Sequence, residues 1–197
     1  LKTLNTPNKL TLARVLMVPV FVLFFYWQFP AHYFVSMLIF IAASVTDAFD
    51  GKLARARGEI TDFGKFLDPL ADKILVMAAM ACFLQQQKMH IAAFLLILTR
   101  EFMVSALRLV VAGKGTVVPA SFAGKLKTAF TMVAIITALV YWSFMLDFHA
   151  FGLNMPQTAQ TVCEIILQIL FWITALLTVW SGLEYLKAYW KDIDPKQ

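Results

Sequence analysis

Residues 33–85 read YFVSMLIFIAASVTDAFDGKLARARGEITDFGKFLDPLADKILVMAAMACFLQ. Two apolar runs flank a charged middle that carries Asp47, Asp50, Asp68 and Asp72 together with Lys52, Arg55, Arg57, Lys65 and Lys73. The runs predict two membrane-length helices, 33–50 and 66–86, joined by a polar, glycine-containing loop. Further apolar runs near 10–29, 91–112, 125–146 and 161–186 bring the expected spans to six. Each is near the roughly 20 residues that a helix needs to cross a bilayer. Short polar turns, FPAH at 29–32 and QQQK at 85–88, separate neighbours, and Pro19 is expected to bend the first span.

The predicted fold is an all-α integral membrane bundle of six transmembrane helices. It is expected to form a single domain over residues 1–197, because no Gly/Ser/Pro-rich linker divides the chain. Composition agrees: 60% of the 197 residues are hydrophobic, 15% are charged and the mean hydropathy is +0.73. A soluble domain is about half apolar and a quarter charged. The net charge of +5 raises nucleic acid as a partner, but the apolar fraction argues against it. Charge asymmetry across a membrane explains the excess instead. With six spans, one side holds Lys2, Lys9, Arg14, Lys52, Arg55, Arg57, Lys65, Lys114, Lys125, Lys127, Lys187, Lys191 and Lys196, and the opposite loops hold only Lys88. That places both termini and the aspartate-rich stretch in the cytoplasm.

The opening LKTLNTPNKLTLAR lacks a small-residue cleavage site, so Leu10–Phe29 is expected to persist as the first span. Lys2, Lys9 and Arg14, mixed with Leu1, Leu4 and Leu10, fit either a short interfacial helix leading into it or an unstructured tail. Cys82 and Cys163 sit inside apolar runs and read as inert packing thiols.

Asp47 and Asp50 are three residues apart, and Asp68 and Asp72 four apart, so each pair shares a helix face. The first pair closes one span and the second opens the next. Four carboxylates converging at the membrane edge repel one another unless cations relieve them. An all-oxygen ligand set without His or Cys favours Mg²⁺ or Mn²⁺, and a pair of such ions is the usual device for displacement at phosphorus. The plainer alternative is a solvated loop in which the aspartates pair with Lys52, Arg55, Lys65 and Lys73.

The pattern Asp47-x2-Asp50-Gly51-x2-Ala54-Arg55-x8-Gly64-x3-Asp68-x3-Asp72 resembles, at every fixed position, the signature of the CDP-alcohol phosphotransferase family. Eight positions would agree by accident on the order of once in 10⁷. The resemblance implies that Asp47, Asp50, Asp68 and Asp72 bind two divalent cations, with Asp72 also the general base. It further implies that Gly51, Ala54 and Arg55 hold the CDP moiety of the donor, with Thr61 and Gly64 where the chain closes over it. Asn8 and Thr11 stand where relatives contact the nucleotide. Family members are commonly dimers, and the apolar helix faces permit one.

The signature fixes a CDP-linked donor but not the alcohol that accepts. Arg100 and Glu101 interrupt an apolar run, and Arg100, Ser105 and Arg108 form a polar stripe with Lys125 and Lys127 opening the following span. Arg100, Ser105, Arg108 and Lys125 would suit an acceptor that carries its own phosphate. Ordinary positive-inside anchoring for the lysines, and a structural Arg100–Glu101 ion pair, are the alternatives. REF-x2-SALR, S-x2-GKLKT, the opening PNKLTLARVLMVP and SGLEYL near the end resemble the branch of the family that uses sn-glycerol 3-phosphate as acceptor and CDP-diacylglycerol as donor. Inositol phosphate, serine or a second phosphatidylglycerol are rival acceptors. A cation transporter would place its carboxylates near mid-bilayer, and a polyprenyl-diphosphate transferase would need separate Asp-rich motifs on different helix pairs.

Overall fold

The computed structural model describes residues 6–57, 62–113, 119, 121–147, 152 and 155–190; within its helices the side chains of 6–10, 47–57, 62–69 and 72 fall outside that description. Six α-helices are found among the described residues: α1 (Thr6–Tyr26), α2 (His32–Arg57), α3 (Asp62–Gln85), α4 (Ile91–Gly113), α5 (Phe122–Trp142) and α6 (Gln157–Tyr189). A π-helical turn, Ser143–Asp147, prolongs α5. The described residues contain no strand. Helix is the natural outcome for such apolar runs, because it satisfies the backbone within the segment itself.

Helix limits depart from the apolar runs at several ends. α1 begins at Thr6 and runs unbroken through Pro19, so residues 6–10 form its first turn and no separate leading helix precedes it among the described residues. α2 continues seven residues past the expected end at 50, and α3 starts at Asp62 and not at 66. The stretch expected to be a long loop is therefore mostly helical, with only residues 58–61 between the two helices. Hydropathy marks where a helix leaves an apolar medium, whereas Lys, Ala, Leu and Arg are all good helix formers that prolong it beyond.

The chain builds two compact units: residues 1–82 with 135–160, and residues 83–134 with 161–197. In the first, α1 and α2 form an antiparallel hairpin with an aromatic core. Phe21 and Phe40 lie 6.0 Å apart, Phe25 meets Tyr33 edge-on at 5.2 Å, and Tyr33 meets Trp142 of α5 at 6.2 Å. The Tyr26 hydroxyl and Cys82 thiol are hydrogen-bonded, which brings the end of α3 to the end of α1. Cys82 is buried there, as an inert packing thiol would be. In the second unit, Lys88 pairs with Glu164 at 3.2 Å and Gln168 donates to the Lys88 carbonyl at 2.9 Å, so α4 and α6 start at the same end.

Apolar side chains also cover the outside. Along α6, Val162, Ile165, Ile166, Ile169, Trp172, Ile173, Leu176, Trp180 and Leu183 are all exposed. At 1.5 Å per residue that stripe is about 30 Å long, the thickness of a bilayer's hydrocarbon core. Among the described residues two helices, Phe122–Asp147 and Gln157–Tyr189, are long and apolar enough to cross a membrane, and Thr11–Tyr26, His32–Thr46 and Lys73–Gln85 are shorter apolar segments. α4 differs because Arg100, Glu101 and Arg108 fall within any 18-residue window along it.

The start of α2 shows how a distant residue completes a helix. Residues 29–31 are Phe-Pro-Ala, which offer no capping side chain, and Ala31 adopts φ 71°. Asp147, at the end of the π-helical turn, supplies the cap across 113 residues of sequence. Its carboxylate accepts from the Phe34 amide at 2.8 Å, with the amides of Tyr33 and His32 contributing, and His32 Nε2 lies 3.9 Å away. Asp147→Ala should therefore destabilise the protein by about 1–2 kcal/mol, the worth of a helix cap. Thermal unfolding in detergent measures it, and a melting point equal to wild type would show that the cap contributes nothing.

Candidate functional site

The aspartate motif occupies the end of the first unit opposite the Asp147 cap. Helical register on α2 sets Asp47, Asp50, Gly51, Ala54 and Arg55 along one side, and on α3 it sets Gly64, Asp68 and Asp72 along one side. The two helices run antiparallel, and their connection is residues 58–61 alone. Counting from it, Asp50 and Asp68 lie about 10 Å along their helices and Asp47 and Asp72 about 15 Å. The two pairs thus sit at matching depths. The side chains of Asp47, Asp50, Ala54, Arg55, Asp68, Asp72 and Asn8, and all of Thr61, lie outside the described residues, as do the distances among the carboxylates. Asn8 belongs to the first turn of α1. Thr11 is buried, and Arg14, one turn further on, is equally buried, although its sequence position reads as a surface anchor.

The second unit carries the cationic stripe, and its residues fall into two groups. Arg100, Glu101 and Lys127 are all buried. Arg100 Nη1 donates to Glu101 Oε1 at 3.1 Å, Lys127 Nζ donates to the same oxygen, and Arg100 Nη2 donates to Ser181 Oγ at 2.5 Å. One carboxylate thus joins α4 to α5, and one guanidinium joins α4 to α6. Ser105 turns its hydroxyl back to the Glu101 carbonyl at 2.6 Å. Arg100, expected among ligands of the acceptor phosphate, is held in this internal network, and Ser105 has committed its donor to its own helix.

Arg108 and Lys125 form the second group, and both are exposed. Arg108 Nη2 donates to the Tyr185 hydroxyl at 2.8 Å, and its remaining N–H groups have no hydrogen-bond acceptor among the described residues. Lys125 and Lys127 are two residues apart and so point about 200° apart around α5. This explains why one is buried on Glu101 while the other faces outward. Ser121 caps α5, its hydroxyl accepting from the Gly124 amide at 3.1 Å.

Ser181, Tyr185 and Lys127 are functional candidates that the sequence reading did not assign to the site. In SGLEYL at 181–186 the helical period sets Ser181, Gly182 and Tyr185 on one face, a pattern that does not by itself separate a site from ordinary helix packing. Gly182 has a steric reason as well: a Cβ there would stand 2.9 Å from Arg100 Cγ. α4 and α6 also line an apolar groove of about 550 Å³ that Arg100, Met103, Gly182 and Leu183 border.

Removing one partner of a buried ion pair leaves an uncompensated charge, which costs about 3–5 kcal/mol. Glu101→Gln should therefore cause a large fall in detergent melting temperature, and adding Lys127→Met should recover part of it. If Glu101→Gln melts like wild type, the network does not hold these helices together. Gly182→Ala should cost about 1–3 kcal/mol by displacing Arg100, read in the same assay.

Comparison with known proteins bears on what this arrangement serves. The family model for CDP-alcohol phosphatidyltransferase matches residues 4–180. A Bacillus subtilis (strain 168) protein is 36% identical over 201 residues, covering 96% of this chain and 97% of its own length. A Rickettsia bellii protein is 39% identical, covering 93% of this chain and 94% of its own, and a Shigella flexneri protein is 39% identical with 96% and 97% covered. All three carry the name CDP-diacylglycerol–glycerol-3-phosphate 3-phosphatidyltransferase. With its eight-position motif intact on α2 and α3, and similarity along nearly its whole length, the chain belongs to the CDP-alcohol phosphatidyltransferase family.

Proposed function

We propose that this protein transfers the phosphatidyl group of CDP-diacylglycerol to sn-glycerol 3-phosphate, giving phosphatidylglycerol phosphate and CMP in phospholipid biosynthesis. The observation that carries this is the uninterrupted aspartate motif on two antiparallel helices, in a chain 36–39% identical to proteins named for that reaction. Support for the acceptor comes from Arg108 and Lys125, exposed cations at the end of the second unit where α4 finishes and α5 begins. A phosphate monoester matches such a pair better than an uncharged alcohol does.

Asp47, Asp50, Asp68 and Asp72 would hold two divalent cations, Mg²⁺ or Mn²⁺; their hard, all-oxygen donor set without His or Cys fits such ions. When bound, the ions screen the diphosphate and make its phosphorus more electrophilic. Arg55 binds the diphosphate, while Gly51 and Ala54 let the cytidine lie against α2 and Thr61, Gly64, Asn8 and Thr11 close around it. Arg108 and Lys125 hold the acceptor's phosphate and aim its primary hydroxyl. Asp72 accepts the hydroxyl proton as that oxygen bonds to the β-phosphorus. The bond from this phosphorus to the CMP oxygen breaks, and CMP leaves with the electron pair, its charge met by Arg55. Arg100 supports the site through Glu101 and Ser181 without touching substrate.

The reading places six spans in a bacterial cytoplasmic membrane, with both termini and the aspartate motif on the cytoplasmic side and a second copy completing a homodimer. Donor acyl chains remain in the bilayer while the acceptor arrives from water. Exposed apolar stripes such as that on α6 support membrane insertion, and the basic residues support the orientation.

Asp68→Asn and Asp72→Asn should each abolish CMP release while leaving the melting temperature near wild type. Full activity in either variant would overturn the aspartate assignment. Removing divalent cations with chelator should stop turnover, and Mg²⁺ or Mn²⁺ should restore it. An acceptor panel with CDP-diacylglycerol decides the alcohol: sn-glycerol 3-phosphate is expected to outpace inositol phosphate and serine, and the reverse order would refute it.

A further inference from the structure

One buried side chain bears on Arg108 and Lys125, two exposed cations of the second unit. Tyr185 is 2% exposed, its ring packed in a cluster with Val104, Leu107 and Val111 and flanked by Leu186 and Tyr189. Its hydroxyl donates to the Pro119 carbonyl at 3.0 Å and accepts from the Ser121 amide at 2.9 Å and from Arg108 Nη2 at 2.8 Å. A phenol has one proton and two lone pairs, so every valence is used. The face of the same ring carries the Arg108 guanidinium carbon at 5.2 Å and that of Arg100 at 5.6 Å, both within cation–π range.

This geometry acts on the two cations by different routes. Arg108 is exposed, and an exposed arginine ordinarily samples many rotamers, whose loss on binding opposes affinity. The tyrosine limits that freedom beforehand: its ring face lies under the guanidinium carbon and its hydroxyl holds one nitrogen. Lys125 is reached through the backbone. Tyr185 holds the amide of Ser121, Ser121 caps α5, and Lys125 lies in the first turn so defined, its own amide donating to the Ser121 carbonyl at 3.1 Å. Arg108 of α4 and Ser121 just ahead of α5, 77 and 64 positions from Tyr185 of α6, meet at its one oxygen.

We infer that Tyr185 is a positioning residue for the acceptor: it pre-orients Arg108 and fixes the start of α5 so that an incoming phosphate monoester meets both cations already in place. The inference rests on the acceptor reading given under Proposed function. It makes selection of a phosphorylated alcohol a property of three helices and not of two basic side chains alone.

Steady-state kinetics with CDP-diacylglycerol and sn-glycerol 3-phosphate, alongside detergent melting curves, test it on Tyr185→Phe, Arg108→Ala, Arg108→Lys and the Tyr185→Phe/Arg108→Ala double variant. Loss of a hydrogen bond to a charged group corresponds to about tenfold or more in affinity. Tyr185→Phe should raise KM for sn-glycerol 3-phosphate by that factor, with KM for CDP-diacylglycerol changed less than about twofold. The double variant should be less impaired than the product of the two single effects, because much of the tyrosine's influence runs through Arg108. Arg108→Lys, which keeps the charge but not the fork, should reproduce most of the KM rise even if Tyr185→Phe fails to accumulate. If Arg108→Ala raises the acceptor KM and Tyr185→Phe does not, or if the two effects multiply, the positioning role is wrong and the acceptor reading stands. A parallel fall in melting temperature and in both substrates' kinetics would mean that Tyr185 only stabilises the fold. Arg108→Ala without effect on the acceptor KM would remove the acceptor assignment itself, and the inference with it.

Discussion

A charge placed inside an apolar helix bundle must find its counter-charge there, and the arrangement of α4, α5 and α6 follows from that requirement. Glu101 is the fixed point: its carboxylate sits between Arg100 and Lys127, and all three are buried. With these cations engaged, the polar stripe of α4 is no longer a uniform basic surface. It has a closed part, tied to Glu101 and Ser181, and an open part at Arg108. A buried ion pair contributes little net stability against an apolar substitute of equal volume, but breaking one is costly. Its consequence is therefore geometric. It locks the rotation of α4 about its axis and so determines which side Arg108 presents.

The same economy recurs where helices begin. α2 opens on Phe-Pro-Ala and α5 on a short segment around Ser121, and in each case a polar atom from far along the chain holds an amide at the start. Asp147 does so for Phe34, and Tyr185 for Ser121. These ties matter beyond the termini because a helix is stiff. α2 carries Asp47, Asp50, Gly51, Ala54 and Arg55 toward its far end, so fixing its first turn constrains where the motif can lie.

How much of this was legible in sequence depended on the range of the interaction. The aspartate motif was readable because its spacing matches the helical period and a family pattern, and the helical character of the spans was readable from apolar run length. Their ends were not: α2 runs to Arg57 because Lys52, Leu53, Ala54 and Arg55 favour helix regardless of the medium, and hydropathy cannot register that. The choice between Lys125 and Lys127 as partner of Glu101 turned on a rotation of 200°, invisible without knowing where α5 faces. Asp147 and Tyr185 were beyond reach for a different reason. Each acts across more than 60 residues, and nothing in FMLD or LEYL distinguishes a cap or an arginine clamp from an ordinary helix end.

Depth completes the distinction between closed and open charges. Arg100 lies thirteen residues before the end of α4 at Gly113, about 20 Å along the axis, whereas Arg108 lies only five before it, about 8 Å. The cost of an unpaired charge in an apolar medium falls steeply toward the interface, where water replaces the missing partner. Deep in the helix, then, only a paired arginine is tolerable, whereas near its end an arginine whose remaining donors meet no acceptor among the described residues is tolerable. A phosphate monoester delivered from water can reach the shallow cation without entering the apolar interior, while the deep one stays occupied by Glu101 and exerts no pull on it. On the proposed acceptor assignment, steering of a soluble, phosphorylated alcohol toward the end of α4 would follow from where the counter-charges are placed, and from the single tyrosine that holds the shallow arginine.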